Sequence, residues 1–450
     1  MAVSVFLLTM VVFLPFNAHY SYPGEQAGKG AAVTDGGCVT AGNTALDQSG
    51  NTQLLYACLN PCGEVVWADS ICFGSSTAIL AVTEVEAGLV FTGSSSSPST
   101  SEDALAWAIT DDFQQLWTFS MDLSLQERFT SVAQGEGGNV VCAGSTNSIG
   151  AGGNDVLIVA IDEFGDQVFR RTYGTTGEEA VYHISACDDG GFILACQAMD
   201  WGAGNGDYWI IRTDSMGDSL WTGTYGGSEF DYPWRVIQSG EYYYVAGNTL
   251  SYGEGSYDWW ILKLDSAGDV VWERTWGGKN TDTCMALLDT GSGIMAAGSW
   301  EESLNQFRAT VVCYDYNGDV TDEWFYQQGM IRSLAQTDDG CYLMGGTTYA
   351  TDADLWALCV DSTGYAPEMG VDNFEPPPVL LLGSNPVNGV LTLELPEGSN
   401  VVRVRDLSGR TVYEEEPGEG QVTIRLPDLP SGVYSITTGQ GIERRFTLLR

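Results

Sequence analysis

VYHISACDDGGFILACQAMDWGAGNGDYWIIRTDSMGDSLWTGTYGG, residues 181–227, holds the pattern from which most of this chain is built. An apolar run over 181–187 meets the turn Asp188-Asp189-Gly190-Gly191, and a second run covers 192–196. After a long polar loop come a third run over 208–213, the turn Asp214-Ser215-Met216-Gly217-Asp218, and a fourth run over 219–225. The runs are rich in Val, Ile, Tyr and Trp, which suit a pleated and largely buried surface. Asp and Gly stand where hairpins need side-chain capping and positive φ. The stretch therefore predicts four strands joined by turns.

Outward from it, the same order recurs. The second run ends in a small pair at Ala41-Gly42, Thr92-Gly93, Ala143-Gly144, Ala195-Cys196, Ala246-Gly247, Ala297-Gly298 and Gly345-Gly346, at separations of 51, 51, 52, 51, 51 and 48 residues. The third-to-fourth turn returns as Asp162-x-x-Gly165-Asp166, Asp265-x-x-Gly268-Asp269 and Asp315-x-x-Gly318-Asp319. These are short hairpins without the alternating ligands and distant Glu of a calcium loop. A large ring follows each turn, at Trp67, Trp117, Phe169, Trp221, Trp272 and Trp324, and is expected to pack between repeats.

Four strands in about 51 residues, seven times over, is the period of a β-propeller blade. The seventh unit stops after its third strand near Asp361-Ser362-Thr363-Gly364, so the N-terminal segment around Ser21-Tyr22-Pro23-Gly24 is expected to supply the closing strand and remove the exposed edge. The repeats resemble those of a broad class of bacterial extracellular propellers. That resemblance implies an architecture, since propellers host hydrolases, lyases, lectins and scaffolds alike.

Composition narrows the partners. The chain has 450 residues, 56 glycines and a formal charge of −41, which makes nucleic acid and anionic membranes repelled partners. The excess is uneven: residues 379–450 hold 7 basic and 9 acidic side chains, leaving 11 basic against 50 acidic before them. The acidity chiefly keeps a large domain soluble, and calcium is the one cofactor it leaves open. An apolar run over 3–16, too short to span a bilayer, reads as a signal-peptide core with Ala18 or Ser21 nearest for cleavage. Eleven cysteines lack zinc-site spacing and fall mostly within strand-like runs as small buried hydrophobes, with a local disulfide among Cys58, Cys62 and Cys72 as the exception.

Residues 366–378 include Glu375-Pro376-Pro377-Pro378 and read as a stiff linker. Beyond it, runs at 390–395, 401–406, 411–415, 422–426, 432–437 and 444–449 predict a compact immunoglobulin-like β-sandwich. Asn385-Pro386, Asp406 with Gly409-Arg410, and Gly432 with Tyr434 stand in segments that resemble a type A sorting domain of the type IX secretion system. The resemblance implies a partner in that secretion machinery, export from a Bacteroidetes-like bacterium, and release or attachment at the cell surface. The strands alone fit an ordinary accessory module equally well. The expected organisation is thus a leader over 1–18, an all-β seven-bladed propeller over 19–365, the linker over 366–378 and a sandwich over 379–450, in a monomer with no transmembrane span in its mature form.

Chemistry is sparsely marked. The two histidines, His19 and His183, exclude a multi-His site, and no nucleophile elbow or phosphate loop is present. Carboxylates are too numerous for any pair to be singled out as a glycosidase acid and base. The loops between second and third strands and the blade-to-blade connections share one end of each blade. Trp201, Tyr252, Tyr257 and Trp300 come from the first set, and Glu229, Asp231, Tyr232 and Trp234 from the second. Rings beside carboxylates suit sugars, so these eight are the candidate ligand-binding residues. The reading is a secreted binding or scaffold module for glycan or protein, with a carbohydrate-active enzyme as the alternative.

Overall fold

A computed structural model describes residues 16–20, 26–34, 37–44, 54–71, 73, 76–96, 102–110, 114–199, 201–348, 354–365, 381–382, 390–395, 401–406, 410–416, 420–426, 429–430, 432–438 and 443–448. Up to residue 365 these form seven antiparallel blades of four strands each. Blade 4 is typical: Glu179–Ala186, Phe192–Ala198, Asp207–Thr213 and Ser219–Tyr225 pair in chain order. Its two middle strands are buried at every residue, because neighbouring blades cover both faces, whereas the outer strand alternates exposed and half-buried residues. Its first strand lies against the first strands of blades 3 and 5, and the same contact runs around all seven blades back to blade 1.

Seven apolar clusters fill the seven interfaces between consecutive blades. The cluster between blades 7 and 1 joins Leu343, Ala357 and Cys359 to Ala31, Cys38 and Leu59, which closes the ring. Cys142, Cys187, Cys196 and Cys284 also sit in these clusters as small apolar side chains. Cys58 and Cys62 are free thiols, and Cys72 lies outside the described residues.

The rings after the third-to-fourth turns do pack between blades. Five of them cover the turn glycine of the next blade: Trp117 on Gly165, Phe169 on Gly217, Trp221 on Gly268, Trp272 on Gly318 and Trp324 on Gly364, while the side chain of Trp67 lies outside what the structure describes. All five glycines have φ between +77° and +89°, which they adopt without the Cβ penalty. The contact is clasped by hydrogen bonds from the same outer strand. Tyr225 Oη donates to Gly268 O at 2.6 Å, Tyr326 Oη to Gly364 O at 3.0 Å and Arg274 Nε to Gly318 O at 2.8 Å. Within each turn the leading Asp accepts two backbone N–H groups; Asp214 Oδ1 takes those of Met216 and Asp218 at 2.9 and 2.8 Å.

The shortened spacing of 48 has a structural cause. Val320–Gln336 is one continuous strand whose first part pairs with Gln306–Tyr314 of blade 6 and whose residues 329–336 pair with Tyr342–Thr348 of blade 7. The loop that elsewhere joins one blade to the next, such as 226–230 between blades 4 and 5, is absent there. Phe16–Tyr20 pairs antiparallel with Asp354–Val360 as the fourth strand of blade 7. This strand overlaps the expected leader at residues 16–18, while residues 1–15, Ser21-Tyr22-Pro23-Gly24 and the linker lie outside the described residues.

The C-terminal unit has a three-stranded sheet of Leu381–Leu382, Val390–Leu395 and Gly420–Arg425. Its four-stranded sheet orders Thr411–Glu415, Val402–Asp406, Gly432–Thr438 and Glu443–Leu448. Val402, Val404, Ile424, Leu426, Tyr434 and Ile436 are buried apolar side chains among its described residues.

Candidate functional site

The small pair that marks each repeat turns out to sit opposite a β-bulge. In all seven first strands the register slips by one residue, between Gly28 and Gly30, Ile79 and Ala81, Phe129 and Ser131, Val181 and His183, Pro233 and Arg235, Cys284 and Ala286, and Ile331 and Ser333. The bulged backbone presses on the second strand. A Cβ on Gly144 would stand 1.8 Å from Arg128 O, and one on Gly298 1.8 Å from Thr283 O. The extra residue of each bulge is Lys29, Leu80, Thr130, Tyr182, Trp234, Met285 or Arg332, and bulges commonly re-aim a side chain in this way. All seven line a single cavity of about 350 Å³, walled by every blade and therefore on the propeller axis.

Arg128, Arg235 and Met199 add to the wall. Met199 follows the second strand of blade 4, which puts the cavity at the end of the blades that carries the long loops. Four cations thus converge here, Lys29, Arg128, Arg235 and Arg332, with no Asp or Glu in the lining. Arg235 spends its guanidinium on backbone, Nε donating to Met285 O and Nη2 to Arg332 O, both at 3.0 Å, and burial pulls its pKa down to about 10. Burial, and next the Arg332 charge, lower the pKa of the Lys29 ammonium. Arg332 Nε is buried without a hydrogen-bond partner. Tyr182 and Trp234 meet edge to face, centroids 4.8 Å apart, and Tyr182 Oη donates to Gln197 Oε1 at 3.1 Å. Beside them His183 Nδ1 rests 3.1 Å from Val236 O. Burial and the Arg235 charge hold that imidazole well below its ordinary range, so it is a neutral, satisfied strand residue.

Of the eight candidate ligand residues, Trp234 lines the cavity. Trp201 packs on Trp209 at 5.1 Å and donates from Nε1 to Glu179 Oε1 at 2.9 Å. Tyr252 covers Trp260 at 5.0 Å and donates to Gly226 O at 3.0 Å, and Trp300 meets Phe325 at 5.5 Å. Tyr232 stacks on Phe230 and approaches Tyr257 at 5.7 Å, next to exposed Glu229, whose N–H donates to Ser251 Oγ at 3.1 Å. Asp231 is fully buried. Lys29, Arg128, Tyr182, Arg235, Met285 and Arg332 escaped the reading of the sequence. For the bulge residues among them the signal was positional: each lies thirteen or fourteen positions before the second member of the small pair.

Paired carboxylates do recur, at the blade junctions. A Cβ on Gly226 would lie 1.9 Å from Asp207 Oδ1 and 2.8 Å from Asp231 Oδ2, and one on Gly277 2.0 Å from Asp258 Oδ1 and 2.6 Å from Asp282 Oδ2. Burial, then the neighbouring Asp282 charge, pushes Asp258 up to about 6; burial, then Glu301, does the same to Asp282. Their oxygens cap loop backbone: Asp258 Oδ2 accepts Glu254 N at 2.6 Å, and Asp282 accepts Gly278 N at 2.7 Å and Glu301 N at 2.8 Å. Among the described residues no three His, Cys, Asp or Glu side chains converge as a metal ion would require.

In the C-terminal unit, Asp406 closes a hairpin with Arg410, accepting its backbone N–H and its Nε at 3.1 Å each. Tyr434 Oη donates to Pro430 O at 2.9 Å. Asn385, Pro386 and Gly409 lie outside the described residues. Residues 384–446 match the family described as secretion system C-terminal sorting domain. The chain carries a type IX sorting domain. The sorting domain is the part that engages the secretion machinery and marks the protein for export to the cell surface or the medium. No helix among the described residues is long and apolar enough to cross a membrane.

Solved structures similar to the chain include the WD40 propeller domain of Doa1, 13% identical with a TM-score of 0.48, covering 79% of this chain and 100% of that one. The Dos1 propeller is 10% identical with a TM-score of 0.47, covering 76% and 95%. PorZ, a surface component of the type IX secretion system of Porphyromonas gingivalis, is 11% identical with a TM-score of 0.37, covering 93% of this chain and 70% of its own. No curated protein matches the chain in sequence.

Proposed function

We propose that the exported chain is an extracellular binding module whose ligand enters the axial cavity from the loop end of the propeller. The observation that carries this reading is the convergence of all seven bulge residues on one cavity. Seven independent chain distortions aimed at one place are more than packing requires, since a bulge interrupts a ladder that would otherwise be complete. The volume of about 350 Å³ is at the lower end of the roughly 300–1,000 Å³ usual for small-ligand sites. A sugar unit of a glycan fits that size and the ring chemistry of Tyr182 and Trp234.

The enzyme alternative draws on the Asp258–Asp282 pair, whose raised carboxyls resemble those of an acid and base. Both side chains are buried and committed to loop capping, and neither lines the cavity. The geometry favours capture over turnover. A polysaccharide pull-down with the exported chain and with Tyr182→Ala/Trp234→Ala tests this. Retention by the unaltered protein, loss in the variant and intact glycan are expected; shortened glycan would establish the enzyme instead.

A further inference from the structure

We infer that the axial cavity selects a saccharide bearing an isolated anionic group, a carboxylate or sulfate, with the sugar ring against Trp234 and the anion between Lys29 and Arg332. This rests on the cavity being the ligand site, and it adds the charge of the ligand.

Basic side chains are scarce in the propeller. Only 11 lysines and arginines stand before residue 379, against 50 acids, yet four of the eleven line this one cavity and no acid does. Cations withdrawn from water are costly unless an anion answers them. In a chain so rich in Asp and Glu, a carboxylate partner was available for each, as Asp189 is for Arg212 at 2.5 Å in blade 4. The cavity instead leaves Arg332 Nε buried and unpartnered and sets Lys29 close enough for the Arg332 charge to act on its ammonium. Arg235, bonded to two carbonyls, supplies a fixed positive charge without being free to pair.

The cations and rings are also sorted around the axis. Arg332 belongs to blade 7 and Lys29 to blade 1, while Tyr182 and Trp234 belong to blades 4 and 5, on the other side of a seven-bladed ring. A ligand with an apolar ring face at one end and an anion at the other spans that gap. The surrounding acidic protein repels polyanions, so a single charge delivered by a short or otherwise neutral chain is the form that can enter.

The test is isothermal titration of the exported chain with a glucuronyl disaccharide, its neutral methyl ester and a Glu-Glu dipeptide. The acid is expected to bind roughly tenfold or more tighter than the ester, the scale of one charge-assisted hydrogen-bonded pair. Lys29→Gln/Arg332→Gln should erase that difference by weakening the acid more than the ester, and Trp234→Ala should weaken both sugars. Arg128→Gln, at an exposed mouth position where folding is not at stake, should weaken the acid alone. Equal binding of acid and ester, or acid binding untouched by the cation variants, would overturn the charge selection while leaving the cavity as the site. A dipeptide that binds more tightly than the acid would overturn the saccharide assignment. Acid binding indifferent to Trp234→Ala, or no binding by any probe, would overturn the cavity itself as the ligand site.

Discussion

At Gly298 the second strand of blade 6 runs so close to the bulged carbonyl of Thr283 that a methyl group there would meet the oxygen at 1.8 Å. The bulge is thus a specific reason for the small pair that marks each repeat. Gly93, Gly144, Gly247 and Gly346 repeat the contact at 1.8–2.0 Å. Blade 4 carries Cys196 at this position and keeps the same slip, so a side chain can be admitted if the backbone moves. Gly298→Ala should therefore cost about 1–3 kcal/mol, the range of a forced overpacking rather than of a broken fold. Urea unfolding measures it, and an unchanged midpoint would mean that the bulge relaxes freely. The same detail explains what the sequence hid. A Lys or Arg in a strand ordinarily reads as a solvated residue, and the constant offset of Lys29 and Arg332 from the small pair gains its meaning only with the partner strand, which defines the bulge. Trp234 was found because aromatic rings near loops draw attention on their own.

Among elements, strands and turns were the most legible, since each carries its own chemistry: Asp-x-x-Gly turns, runs of Val and Ile, and a ring that needs the next blade's glycine. The predicted sandwich strands agree with the observed ones to within about two residues for the same reason. The fused strand Val320–Gln336 was less legible, because only a missing connection betrays it. The strand Phe16–Tyr20 was hidden under the apolar character of a leader, as both need the same residues. Its pairing with Asp354–Val360 makes a concrete demand on processing. The exported protein should begin at or before Phe16, as read by N-terminal sequencing. Removing residues 1–20 should lower stability by about 2–4 kcal/mol through five lost partners and leave an edge prone to pair with another copy, visible as concentration-dependent dimer on gel filtration. A monomer of full stability after that truncation would show the ring to be closed by its apolar clusters alone.

On the scale of the molecule, two units of different electrostatic character share one chain. The segment up to residue 378 has 11 basic and 50 acidic side chains, whereas residues 379–450 have 7 and 9, so solubility is concentrated in the passenger and near-neutrality in the sorting domain. The seven apolar clusters of the propeller draw every one of their described residues from before position 365, so this core is assembled from the passenger's own side chains. Folding and address should then separate. A chain ending at residue 378 is expected to keep the thermal transition of the propeller and its cavity ligand, yet to accumulate behind the outer membrane, with surface and medium fractions falling to background on immunoblots. Reattaching residues 379–450 to an unrelated folded passenger should restore export of that passenger. Loss of the propeller's transition on truncation would instead mean that the sorting domain is part of the fold, and an undiminished surface fraction would mean that the address lies before residue 379.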